Sequence, residues 1–149
     1  MEKENEMVLL FDSRPENEGL ARVCAASFCT QINPTMEEVA DLKTAVSEAV
    51  TNCIIHGYEG EVHKIKMTCR LRERTIYVEI EDKGVGIPDV AKAMEPLFTT
   101  KPELDRSGMG FACMEAFMDD LEVESTPGKG TRVHMRKKMR CGDWIGKED

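Results

Sequence analysis

The sequence has no long apolar run and few aromatic residues, and both shortages limit what the protein can be. A helix needs about 20 consecutive apolar residues to cross a bilayer, and no stretch of the 149 residues approaches that length. The charged first residues lead into no apolar signal segment. Aromatic residues make up 5% of the chain, but the hydrophobic share of 41% suffices for one packed core. We therefore expect one soluble, cytoplasmic domain without membrane association.

The sequence also lacks the cysteine and histidine spacings of metal sites. Its six cysteines form no C-x-x-C pair, and its three histidines are scattered. Isolated thiols of this kind are typical of small buried side chains in a reducing compartment, and we interpret them in that way. The six are Cys24, Cys29, Cys53, Cys69, Cys113 and Cys141.

The balance of charge is acidic, with a formal net charge of −8. Such an average charge repels a phosphate backbone, so we expect no direct binding to nucleic acid. Residues 132–140 are an exception because they are rich in arginine and lysine. We interpret this short basic segment as a solvated strand end.

Apolar side chains at three- and four-residue spacing predict the main helices. Residues 15–31 start at a proline, which favours the first turn of a helix. Residues 35–56 start with Thr35-x-x-Glu38, a capping box that satisfies free amides at a helix start. Further helices are predicted at residues 88–93 and 110–118.

Alternating apolar and polar side chains predict the strands. In residues 75–82, the side chains of Ile76, Val78 and Ile80 share one side, and Asp82 falls on that side too. The other predicted strands are residues 7–11, 62–71, 121–125 and 131–139.

Together these elements predict an α+β fold. We expect a two-layer sandwich in which helices cover one face of a mixed, mostly antiparallel sheet. The domain would span residues 1–139, with a polar tail at 140–149 and a mobile loop at 94–107, which is rich in proline, threonine and charge.

A first candidate cluster lies in the second helix, at Glu48-x-x-x-Asn52-x-x-x-His56. Spacing by four places the three side chains in one ridge beside the apolar face, where they would look into a crevice. A carboxylate and an amide one turn apart could supply a base and an oxygen ligand for Mg²⁺. A solvated helix edge would show the same spacing.

A second cluster is Asp82-x-Gly84-x-Gly86. A buried carboxylate needs strong partners, and an exocyclic amine such as adenine N6 would be one. The two glycines permit a tight turn and the close approach of a ligand ring. A polar turn that only closes the strand remains an alternative.

A third cluster, Ser107-Gly108-Met109-Gly110, stands where the predicted loop meets a helix. Glycines before a helix expose backbone amides to an anion, and Lys101 and Arg106 could neutralise phosphate charge. The spacing matches neither a P-loop nor a Rossmann fingerprint, and a plain helix-starting turn would look alike.

In this order, and with Gly128-x-Gly130-Thr131, the clusters resemble the nucleotide-binding sequence boxes of the GHKL superfamily. That superfamily includes gyrase, a heat-shock chaperone, histidine kinases and mismatch-repair ATPases. Two longer runs resemble anti-sigma factors of endospore-forming bacteria that act as serine kinases. They are SEAVTNCIIHGY at residues 47–58 and PLFTTKPELDRSGMGF at residues 96–111.

The resemblance implies the GHKL type of sandwich and a role for each matching residue. Glu48 would be the general base, Asn52 would bind Mg²⁺, and Asp82 would hold adenine N6. Gly86 would pack close to the ring, and Thr131 would support it through water. The rest of the implied nucleotide site is Gly84, Thr99, Lys101, Arg106, Ser107, Gly108, Met109 and Gly110.

The resemblance also implies partners and cofactors. The chain would bind ATP and Mg²⁺, form a homodimer and hold a sporulation sigma factor. It would phosphorylate an anti-anti-sigma factor of the STAS type on serine. Glu18 and Arg22, one turn apart on the first helix, would belong to the partner surface, although they are also ordinary surface charges. The loop at residues 94–107 would order when ATP binds.

Three alternatives stay open. The chain could be the related anti-sigma kinase of the general stress response, or a nucleotide-gated binding module without kinase activity. Glu48 could equally activate water, which would give a slow ATPase. A histidine kinase is disfavoured because none of His56, His63 and His134 lies on an upstream helix that could carry a phospho-acceptor.

Overall fold

Alternating side chains build one antiparallel sheet in the computed structural model, which describes residues 4–94 and 110–140. Five strands pair in the order β1-β2-β3-β5-β4, and every pairing is antiparallel. The sheet therefore has two edges, β1 and β4. The strands are β1 Asn5–Asp12, β2 Lys64–Arg72, β3 Thr75–Asp82, β4 Asp120–Thr126 and β5 Gly130–Lys138.

Helices form the second layer. They are α1 Glu16–Cys29, α2 Met36–Asn52, the short α3 Val90–Ala93, and α4 Gly110–Phe117. Helix α2 packs between α1 and α4, and the core lies between this layer and the sheet. No helix in the two described ranges is long and apolar enough to cross a membrane. The predicted α+β two-layer sandwich is confirmed, with a sheet that is wholly antiparallel.

The capping box predicted at the start of α2 is confirmed. Thr35 Oγ1 accepts a hydrogen bond from the Glu38 amide, and the Glu38 carboxylate accepts one from the Thr35 amide, both at 2.9 Å. Three turns of apolar side chains then face the core, where Leu42, Val46 and Val50 are fully buried.

The predicted end of α2 needs a correction. A single α-helix was expected to reach His56, but the α-helix ends at Asn52 and residues 53–57 form a π-helical turn. The Tyr58 amide donates to the Cys53 carbonyl oxygen, five residues back, at 2.8 Å. Helix α1 also ends early, at Cys29. A 3₁₀ turn follows it, and the chain then reverses at Asn33, whose φ of 51° is left-handed.

The two faces of the sheet differ in character. The side chains of Ile76, Val78 and Ile80 point into the core, as the alternation of apolar and polar residues along this strand predicted. The opposite face carries ion pairs between strands, in which Arg132 lies 3.0 Å from Glu81 and 3.2 Å from Glu79. Arg132 of β5 is therefore paired with acidic residues of the neighbouring strand β3.

The described cysteines are free thiols. Cys29, Cys53 and Cys69 are buried, as expected of small apolar side chains. Burial raises the pKa of Cys29 to about 11 and that of Cys69 to about 12, so both thiols stay protonated at neutral pH.

Candidate nucleotide-binding site

A cavity of about 470 Å³ opens where the end of α2 meets the end of β3. Helices α3 and α4 and strand β5 complete its walls. Predicted site residues that line it are Asn52, Asp82, Gly86, Gly110 and Thr131, together with His56 of the predicted helix ridge.

Asp82 is the buried acid of this cavity. It is the last residue of β3 and is only 4% exposed, so the prediction that it faces inward is confirmed. The Gly84 amide donates to its Oδ1 at 2.9 Å. Burial raises the pKa of Asp82, and the Gly84 amide, the Cys53 thiol and the Thr131 amide oppose the rise because donors favour the charged form.

Gly57 makes room for the Asp82 carboxylate. A Cβ atom on Gly57 would lie 2.6 Å from Asp82 Oδ2, which is closer than atoms pack. A Cβ on Gly84 would collide with the Gly57 carbonyl oxygen, which accepts from the Val85 amide at 2.9 Å. The π turn and the loop after β3 are therefore packed backbone against backbone.

Gly84, also predicted for the site, lines a neighbouring groove and is not among the residues that line this cavity. Only glycine fits at this position, because a Cβ would collide with the Gly57 carbonyl oxygen. Gly84 therefore allows the loop after β3 to pack on the π turn.

Gly86 joins the cavity to the turn between β4 and β5. Its φ is +79°, and a Cβ there would collide with the Thr126 carbonyl oxygen. The Gly128 amide donates to the Val85 carbonyl oxygen at 2.7 Å, which ties the two loops together. Both glycines have a left-handed backbone that other residues rarely adopt.

Ser125 is a supporting residue that sequence reasoning missed. Its Oγ accepts from the Ile87 amide at 2.7 Å and lies 2.8 Å from Thr131 Oγ1. It thereby fixes the Thr131 hydroxyl at the cavity wall. Its position in β4, 38 residues after Ile87, is visible only once the strands are paired.

Asn52 faces the start of α4. A Cβ on Gly110 would lie 3.0 Å from Asn52 Nδ2, so the amide and the first turn of α4 are in contact. Glu48, one turn earlier on α2, is half-buried and does not line the cavity. Burial and, after it, the charge of Glu48 raise the pKa of Cys113 in α4.

Glu18 and Arg22 lie away from the cavity, on α1. Arg22 Nη1 donates to Glu18 Oε2 at 2.7 Å, and the hydroxyl of Ser47 donates to the same oxygen. Ser47 precedes Glu48 in α2, so α1 and the ridge of α2 are joined by a polar contact.

Six predicted nucleotide-site residues lie outside the described part of the chain. They are Thr99, Lys101, Arg106, Ser107, Gly108 and Met109. Among residues 4–94 and 110–140, no cluster of three or more His, Cys, Asp or Glu side chains could hold a metal ion.

Comparison with known families identifies an ATPase domain. A family model described as a histidine kinase-like ATPase domain matches residues 11–137. A crystal structure of the RsbU and RsbW domains of a Mycobacterium tuberculosis protein superposes with a TM-score of 0.63. That match covers 91% of this chain but 32% of the other, and at 16% identity it shows the fold alone.

More specific relatives are anti-sigma F factors. The one from Oceanobacillus iheyensis is 57% identical over 136 residues, covering 91% of this chain and 93% of that protein. Those of Thermoanaerobacter pseudethanolicus and Bacillus licheniformis are 56% and 51% identical, covering 92% and 91% of this chain and 96% and 93% of theirs. The chain therefore belongs to the histidine kinase-like ATPase family and, within it, to the family of anti-sigma F factors. Membership of an ATPase family implies that it binds ATP.

Proposed function

We propose that this chain is an anti-sigma factor and an ATP-dependent serine protein kinase. It would hold a sporulation sigma factor and phosphorylate an anti-anti-sigma factor of the STAS type on serine. The observation that carries the proposal is one cavity that unites a buried acid, an amide on a helix and a glycine-rich wall. Relatives named anti-sigma F factors, more than half identical to this chain, support the sigma partner.

Adenine would bind at the Asp82 end of the cavity. The carboxylate is buried and aimed inward, so an exocyclic amine is the kind of donor it requires. Gly86 would lie under the ring, and the Thr131 hydroxyl, fixed by Ser125, would hold a bridging water. The phosphates would then extend towards Asn52 and the first turn of α4, where free amides favour an anion.

Mg²⁺ would be held by the side-chain oxygen of Asn52 and by phosphate oxygens. This ion keeps several waters and needs only one or two protein ligands, so the small donor set near Asn52 suits it. When bound, it neutralises the charge that develops on the phosphates. Asn52 is fixed for this task because it packs against Gly110.

Glu48 would act as the general base. It stands one turn from Asn52 on the same ridge, about 6 Å along the helix axis. As the serine oxygen of the substrate forms its bond to the γ-phosphorus, the bond from that phosphorus to ADP breaks. The serine proton passes to the Glu48 carboxylate.

Glu18 and Arg22 would form part of the partner surface, and the chain would act as a homodimer. Both side chains are partly exposed, at 23% and 39%, and their geometry is set by the ion pair and by Ser47. A partner bound to α1 would thus lie above the helix that carries Glu48.

A second candidate function is a nucleotide-gated binder without kinase activity. One observation favours it: Glu48 does not line the cavity that would hold the nucleotide. In that case ATP would only shape the surface that holds the sigma factor.

One experiment separates these functions. The protein is incubated with ATP labelled at the γ-phosphate, Mg²⁺ and a STAS-domain protein, beside Glu48→Gln and the control Glu37→Gln. Glu37 lies in the first turn of α2 and is exposed. We expect label on a partner serine with the native chain and with Glu37→Gln, and a loss of at least about 100-fold with Glu48→Gln. Bound ATP without transfer would favour the binding module.

A further inference from the structure

Ser47 forms a polar contact between helices α1 and α2, one residue before the proposed general base. Its hydroxyl donates to Glu18 Oε2, 29 residues earlier in the chain. A serine or threonine inside a helix commonly bonds back to its own helix, as Thr44 does to the Ala40 carbonyl oxygen at 3.0 Å. The hydroxyl of Ser47 instead joins two helices.

The packing of the two helices makes this short contact possible. Helix α1 packs directly on α2, and the residues that α1 buries are all small, namely Ala21, Ala25 and Cys29. The distance between two helix axes depends on the side chains at the contact, so small residues let the helices approach closely. A serine side chain can then reach across the interface, although its oxygen lies only one carbon from the backbone.

Both ends of the contact are held in place. Glu18 is fixed on α1 by Arg22, whose Nη1 lies 2.7 Å from the same carboxylate oxygen, and the Glu18 side chain is only 23% exposed. Ser47 has a single torsion between its backbone and its hydroxyl oxygen, so this bond restrains the backbone of α2. Glu48 follows at the next position of the same helix, and its direction about the helix axis is restrained with it.

We infer that Ser47 is a positioning residue: by its bond to Glu18, it aims Glu48 and ties this base to the proposed partner surface on α1. The inference rests on the proposed roles of Glu48 and of Glu18 with Arg22. A partner carboxylate that paired with Arg22 would draw the guanidinium away from the oxygen to which Ser47 donates. Binding at α1 would thus act on α2 next to the base, without passing through the nucleotide cavity.

The test measures phosphate transfer to a STAS-domain protein at saturating ATP and Mg²⁺ for Ser47→Ala, Ser47→Thr and Glu18→Ala. Thr44→Ala is the control for the serine variants, because it removes an exposed hydroxyl from the same helix. Glu16→Ala is the control for Glu18→Ala, because Glu16 is an exposed acid in the same first turn of α1. Thermal unfolding shows that each variant is folded.

For Ser47→Ala we expect kcat to fall about 3- to 10-fold while KM for the partner changes by less than about 2-fold, because the base is misaimed and the partner surface is intact. Ser47→Thr keeps the hydroxyl and should stay within about 2-fold of native in kcat. In the double variant of Ser47→Ala with Glu18→Ala, kcat should equal that of Glu18→Ala alone, since the contact is already lost. A native kcat in Ser47→Ala, or losses that multiply in the double variant, would overturn the inference.

A second readout does not depend on phosphate transfer. Carbon-13 NMR of the Glu48 carboxyl, without nucleotide or partner, should show a shifted signal in Glu18→Ala and an unchanged one in Glu16→Ala. An unchanged signal in Glu18→Ala would overturn the inference even if the native chain is an active kinase. A shifted signal, together with no phosphate transfer by the native chain, would support the positioning contact and overturn the proposed kinase function.

Discussion

Gly57 and Asp82 are so close that a single added carbon would displace the carboxylate: the Cβ of an alanine at position 57 would lie 2.6 Å from Oδ2. The two residues are 25 positions apart in the sequence, and they come together because the π turn packs on the end of β3. The acid of the cavity is thus positioned by a residue without a side chain.

Gly57→Ala should therefore impair nucleotide binding selectively. The carboxylate is buried and held by backbone amides, so it cannot move aside cheaply, and overpacking should cost about 1 to 3 kcal/mol of stability. We expect ATP affinity, measured by calorimetry, to fall at least about 10-fold. The control is Gly19→Ala in α1, where the added carbon meets only Arg22 at 3.7 Å. That change should stabilise the helix by about 0.5 to 1 kcal/mol and leave ATP binding unchanged.

Gly86→Ala and Gly128→Ala form a matched pair, because the two glycines have φ values of 79° and 81°. Alanine at either position suffers the same backbone strain, of about 1 to 2 kcal/mol. Only at Gly86 would the new carbon also collide with Thr126, whereas nothing lies within 4 Å of it at Gly128. Denaturant unfolding should show the larger loss for Gly86→Ala, and only that variant should lose ATP binding. Equal losses of unfolding free energy in the two variants would mean that the loop after β3 moves to accommodate the added carbon at Gly86.

Asp82→Asn should alter the pH dependence of both stability and binding. Burial raises the pKa of Asp82 in the folded chain above 3.8, so the folded state holds this proton more tightly than the unfolded state does. The resulting stabilisation is present at low pH and is lost as pH rises from 3.8 through the folded pKa. On the proposed role of Asp82, adenine binding needs the ionised form, so ATP affinity should rise over the same window.

Unfolding in denaturant at a series of pH values measures this pH-dependent contribution of Asp82 to stability. The free energy of unfolding of the native protein, minus that of Asp82→Asn, should decrease with rising pH across that window. If this difference in unfolding free energy is constant or increases with pH, burial does not raise the pKa of the Asp82 carboxyl.

Ser47→Ala should weaken the contact between α1 and α2. The Ser47 hydroxyl and the Arg22 guanidinium donate to the same Glu18 oxygen, so removal of the hydroxyl should cost about 1 kcal/mol of stability. A double-mutant cycle with Glu18→Gln should give a coupling of at least about 0.5 kcal/mol. Thr44→Ala is the control because that exposed hydroxyl bonds only to its own helix, at Ala40. It should change stability by no more than about 0.5 kcal/mol.

Local patterns in the sequence sufficed for the elements and for part of the site. Parity along β3 placed Asp82 on the core side, and the capping box at Thr35 marked the start of α2. Both are regularities within one element, so they need no knowledge of what packs against it.

Contacts between distant segments could not be predicted in this way. Spacing alone favoured an α-helix to His56, whereas residues 53–57 form a π turn whose Gly57 packs against Gly84, 27 residues later in the chain. Ser125 carried no signal either, since serine near a turn is ordinary.

The π turn at residues 53–57 changes the direction in which the side chains after it point, compared with a continuous α-helix. An α-helix advances by about 100° per residue, and a turn closed five residues back holds one residue more than an α turn would. Asn52 before the turn can therefore face α4 while Gly57, the last residue of the turn, faces Asp82. Deletion of one residue within the turn would restore a regular helix and aim position 57 away from β3. Insertions and deletions should thus be tolerated far less in these five residues than in the exposed turn at Glu59 and Gly60 that follows them.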